Sequence, residues 1–75
     1  MIDQERIREI IKQSGNDIEP SDADFDKSFA DIGMDSLDVF GFLSEIEVVF
    51  GKSFSEDEFA DLKCLNDVLE MLNKD

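Results

Sequence analysis

The sequence predicts an all-α fold: a small four-helix bundle of three main helices and one short one, with a long first loop. Three observations predict it. Apolar residues recur at spacings of three and four in separate blocks. Cap and stop residues bracket those blocks. No segment alternates apolar and polar residues as a half-buried strand would.

The first helix is expected over residues 3 to 14. Ile7, Ile10 and Ile11 share one face of "DQERIREIIKQSG", Asp3 is placed to cap the start, and Ser14-Gly15-Asn16 to stop it. From Gly15 to Asp35 no period persists. This stretch holds the one proline, Pro20, and the acidic run Ser21 to Asp26. A loop of this length in a small domain needs anchors, and Phe25, Phe29 and Ile32 are the candidates. A short helical turn is expected around Lys27 to Ile32. The second helix is the clearest element. Val39, Phe42, Leu43, Ile46, Val49 and Phe50 fall on one face, Asp35 caps the start and Gly51 ends it. Ser55 and Glu58 form a capping box for a short third helix over Glu56 to Leu62. Leu65, Val68, Leu69 and Leu72 make a last helix to near Asn73.

Length and charge bound the function. Seventy-five residues are expected to form a single domain, residues 1–75, too small for a cleft between lobes. Seven basic against twenty acidic residues give a formal charge of −13. Such a chain repels nucleic acid and anionic membranes and suits basic protein surfaces. Neither nucleic acid nor membrane is expected as a partner, and the chain is expected to act as a monomer. A lone cysteine, Cys64, and no histidine leave too few ligands for a structural zinc site. Cys64 is most simply a packing residue. Asp22, Asp24 and Asp26 imitate the start of a calcium loop, but Lys27 and Gly33 stand where that loop needs glycine and glutamate. No metal ligand is assigned. The opening "MIDQERIREI" is charged from its third residue, unlike a signal peptide, and a cytoplasmic location is expected.

The chemistry centres on "GMDSLD", residues 33 to 38. A serine nucleophile needs a base, and no histidine is available. The glycines of a nucleophile elbow are also missing around Ser36. Ser36 is therefore not expected to be catalytic, and the chain is not expected to be an enzyme. Two readings remain. Ser36 is a helix cap or phosphosite in a small acidic protein-interaction module, or it is a modification site at a helix start. Asp35 can supply the cap, which leaves Ser36 free.

"DIGMDSLD", followed by a helix ending "EIEVVFG", resembles the acyl carrier proteins, and the resemblance spans nearly the whole chain. It implies that Ser36 carries 4′-phosphopantetheine, transferred from coenzyme A by a phosphopantetheinyl transferase that uses a divalent metal. Asp35 and Leu37 match the residues that flank the family's serine. Acyl groups would then ride as thioesters on the arm between acyl-transferring and acyl-modifying enzymes with basic docking surfaces. A core that opens between helices to admit an acyl chain is a further implication.

On a wheel at about 100° per residue, the face of the second helix opposite its core stripe is Leu37, Gly41, Ser44 and Val48. Phe40 and Glu47 flank it on one side, Asp38 and Glu45 on the other. This face, with Asp38, Phe40, Gly41, Ser44, Glu47 and Val48, is the expected docking surface. Carriers of fatty-acid synthesis typically carry acids where this chain has Gly41 and Val48. The expected setting is fatty-acid biosynthesis or a specialised acyl or polyketide-type pathway, and the departure at this face points to a specialised carrier with dedicated partners.

Overall fold

A computed structural model describes residues 1–74. Helix α1 spans Gln4–Gln13, and the Asp3 carboxylate accepts the Arg6 N–H at 3.0 Å to cap it. Ile7, Ile10 and Ile11 are fully buried. Helix α2 spans Ser36–Phe50, α3 spans Glu56–Asp61 and α4 spans Leu65–Asn73. Each boundary lies within a residue of its expected place. The four helices and the absence of a strand among the described residues bear out the all-α reading, with one isolated bridge between Ser28 and Cys64.

The long loop is more structured than expected. The acidic run forms a 3-10 turn over Asp22–Asp26, and a second one covers Ala30–Ile32. The first is capped by its own acid, Asp24, whose carboxylate accepts the Ser21 N–H at 3.0 Å. A five-residue turn of i+3 bonds leaves no helical period to read. Its three aspartates are occupied internally: Asp22 binds Arg8, Asp24 pairs with Lys27 and Asp26 accepts from the Asn66 amide. Among the described residues no group of three acids or thiols converges on a metal-sized site.

Arg8 holds this loop to α1. Its Nε donates to the Pro20 carbonyl at 2.6 Å, and its other nitrogens reach Glu5 and Asp22. The guanidinium lies 5.2 Å from the centre of the Phe25 ring, an attractive stack of cation on π-face. The hydrogen bonds it donates to Asp22 and then to Glu5 raise the Arg8 pKa above its ordinary value. Lys12 adds a strap to Glu19 at 2.8 Å.

Phe25 and Phe29 anchor the loop in the core as expected, while Ile32 is only half-buried. Met34, not foreseen as an anchor, is buried as well. On α2, Phe42, Leu43 and Ile46 enter the core, whereas Val39, Val49 and Phe50 sit at its margin. Phe50 is instead overlaid by Arg6, 6.0 Å from its ring centre. Leu65, Val68 and Leu72 of α4 close the core. Residues 2 and 73 meet there: Ile2 N–H donates to Asn73 Oδ1 at 2.7 Å, and Asn73 Nδ2 returns a bond to the Ile2 carbonyl at 2.9 Å.

Candidate functional site

Gly33 sets up the start of α2. Its φ of +87° is a left-handed conformation that side chains resist, and it closes the second 3-10 turn. The Met34 N–H then reaches back to the Phe29 carbonyl at 2.9 Å, which drives the Met34 side chain into the core. Asp35 follows in extended conformation as the N-cap. Its Oδ1 accepts the Asp38 N–H at 2.8 Å, and Asp38 Oδ2 accepts the Asp35 N–H at 3.2 Å. This reciprocal box leaves the hydroxyl of Ser36, the first helical residue, outside the cap and exposed. Asp35 therefore does what the sequence suggests. Asp38 closes the cap with its backbone N–H and one carboxylate oxygen.

Beside Ser36 opens an apolar groove of about 590 Å³. Phe29, Ala30, Met34, Val39, Phe40, Leu43 and Phe59 line it together with Asp35 and Ser36. Its walls thus come from the loop, α2 and α3, segments far apart in the chain. Of these residues only Ser36, Asp35 and Phe40 are foreseen as site residues. The signal for the others was Met34 inside "GMDSLD" and the phenylalanines at 29 and 59, whose spacing fits a core as well as a groove.

The outward face of α2 is as expected in part. Leu37 and Val48 are each 78% exposed and Phe40 is 62% exposed, an apolar strip unusual for an acidic surface. Gly41 and Ser44 lie between them, half-buried. A Cβ added at Gly41 would meet nothing within 4 Å, so no internal packing demands glycine there. Glu47 departs from the expectation of a free flank acid: it is half-buried, and its Oε2 accepts the Phe54 N–H at 2.8 Å. Ion pairs among the described residues all lie between Glu5 and Lys27. None of those pairs uses a carboxylate of the Ser36 side.

A family model described as "Phosphopantetheine attachment site" matches residues 5–72. Over 70 residues the chain is 37% identical to the anthracycline acyl carrier protein DauA of Streptomyces sp. (strain C5), covering 91% of this chain and 83% of that protein. The chain belongs to the acyl carrier protein family. The anthracycline acyl carrier protein DpsG of Streptomyces peucetius matches with the same identity and the same coverage. The polyketide synthase PksL of Bacillus subtilis (strain 168) is 31% identical over 74 residues, 95% of this chain but 2% of that protein. No solved structure matches the chain.

Acyl carrier proteins are carriers, not catalysts, and they bear a covalent 4′-phosphopantetheine. The residues at the start of α2 fit that group. A hydroxyl that is exposed and outside the cap is accessible for a phosphodiester. The positive end of a fifteen-residue helix stabilises the phosphate that would sit there. The groove offers an apolar wall within reach of the arm. When bound, the arm supplies a thiol that holds acyl groups as thioesters. Among the described residues no helix is long and apolar enough to cross a membrane.

Proposed function

We propose that the chain is a single-domain carrier whose arm is attached at Ser36 and whose acyl cargo belongs to a specialised, polyketide-type pathway. The observation that carries the attachment site is the Asp35–Asp38 capping box, which leaves the Ser36 hydroxyl exposed at the helix start. A serine needed as the cap would instead accept the amide of the third helical residue, a bond held here by Asp35. The names of the relatives support the pathway, two being anthracycline carriers and one a polyketide synthase.

The partners on this reading are a phosphopantetheinyl transferase and acyl-transferring and acyl-modifying enzymes with basic docking surfaces. Asp35, Asp38 and Glu45 lack ion-pair partners among the described residues and would steer a basic surface onto α2. Leu37, Phe40 and Val48 supply the apolar contact that follows, with Gly41 and Ser44 leaving the backbone approachable between them. The apolar groove shelters apolar cargo while the carrier is between partners.

Intact mass after incubation with a promiscuous phosphopantetheinyl transferase and coenzyme A tests the site. The wild type gains one phosphopantetheine, and Ser36→Ala gains none while keeping its helical circular dichroism. Loading that persists in the variant, or moves to Ser21 or Ser44, refutes Ser36 as the site.

A further inference from the structure

Helix α3 has six residues and buries none of them. Its capping box, Ser55 with Glu58, is internal to the helix and ties it to nothing else. Apart from the half-buried Phe59, which packs against the core, its position depends on what flanks it. On the C-terminal side Leu62 enters the core. On the N-terminal side one residue of α2 collects the free amides of the turn. The Glu47 carbonyl accepts from Gly51 and from Lys52, the latter at 3.1 Å, and its side chain accepts from Phe54 at 2.8 Å. Phe54 in turn meets Phe59 edge to face, with ring centres 5.5 Å apart. Phe59 is the α3 wall of the groove beside Ser36.

We propose that Glu47 is a positioning residue for the groove: through Phe54 and Phe59 its carboxylate fixes α3, and so sets how much apolar bulk is held beside Ser36. This deepens the carrier reading and rests on it for the cargo. The chain of contact is short, and its links are a hydrogen bond to a charged acceptor, an aromatic pair and a groove wall. A short helix without buried residues of its own is the element expected to shift when such a tie is lost. The backbone carbonyl of residue 47 continues to hold Gly51 and Lys52 whatever the side chain. Side-chain substitution therefore releases Phe54 without unfolding the end of α2.

The test uses the full chain as wild type, Glu47→Ala and Glu47→Gln, unloaded and loaded with octanoyl-phosphopantetheine from octanoyl-coenzyme A. Amide hydrogen exchange at Phe54 and the ring resonances of Phe59 are read in the unloaded proteins. Cleavage of the thioester by hydroxylamine is read in the loaded ones. In Glu47→Ala, Phe54 exchange rises roughly tenfold, the loss of one charge-assisted bond. The Phe59 resonances shift, thioester cleavage changes severalfold and Ile10 exchange stays at the wild-type rate. Glu47→Gln keeps an amide oxygen as acceptor and stays within about threefold of wild type in Phe54 exchange and cleavage. Unchanged Phe54 exchange in Glu47→Ala overturns the proposal. Faster Phe54 exchange with unmoved Phe59 resonances and unchanged cleavage also overturns it. A failure of all three proteins to load refutes the Ser36 reading instead, and Phe54 exchange with the Phe59 resonances then decides on Glu47.

Discussion

Replacing Gly41 by alanine separates folding from docking at a single atom. Gly41 lies in the interior of α2, has no left-handed backbone to protect, and has nothing within 4 Å of an added Cβ. The substitution therefore removes the conformational freedom of glycine in the unfolded chain without creating a clash. The expected gain is about 1 kcal/mol, the full difference in helix propensity between the two residues. For a domain of this size that raises Tm by about 4–8 °C. Ser44→Ala, on the same strip, is the control and gains roughly half as much. Thermal melts followed by far-UV circular dichroism measure both. Acyl transfer to a polyketide-type partner is measured on the loaded proteins in parallel. A stabilised Gly41→Ala that transfers more slowly marks a glycine kept for close approach by a partner. A melting temperature that falls or stays level refutes the helix argument. A stabilised variant with wild-type transfer refutes the close approach.

Val48→Glu places an acid in the middle of the exposed apolar strip. It is expected to slow transfer with a polyketide-type partner and to leave Tm within about 2–4 °C, as for most surface changes; equal transfer by both proteins would remove the strip from the docking surface. With a charge of −13 and no ion pair from Ser36 onward among the described residues, added magnesium or salt is expected to raise Tm. A melting temperature indifferent to both would mean that the carboxylates are too dispersed to repel. The Ser21 N–H, then Lys27, hold the Asp24 carboxyl below its ordinary pKa, and Lys12 does the same for Glu19. A lowered folded pKa gives stability that is present above the ordinary carboxylate value and lost as pH falls through the lowered one. Asp24→Asn should flatten the acid limb of a plot of Tm against pH, and an unchanged limb would show that Asp24 contributes nothing there.

The parts of the fold that were legible in the sequence are those fixed by neighbours a few residues away. The cap, period and stop of α2 all lie within Asp35 to Gly51, and so did the exposure of Ser36. The Ser55–Glu58 box announced α3 in the same way. The Arg8 clasp was not legible, because its partners Pro20 and Asp22 lie twelve and fourteen residues on, with no period to connect them. Nor was the internal use of Glu47. On a helical wheel it stands outward, and only the fold of the following turn brings the Phe54 amide to it. The groove was hidden for a related reason. Its phenylalanines are ordinary core residues by composition, and a partly open apolar wall differs from a core only in what is left uncovered.

The paired bonds between Asn73 and Ile2 have a topological consequence. With residues 2 and 73 held side by side, the path of the described residues is nearly a closed ring, and the point at which the ring is cut is of little importance to the core. A short glycine-rich bridge across the ends, with a new opening at exposed Asp17 between α1 and the first 3-10 turn, would keep every buried residue in place. Such a rearranged chain would begin and end in the loop that follows α1, with Ser36 and its groove unchanged.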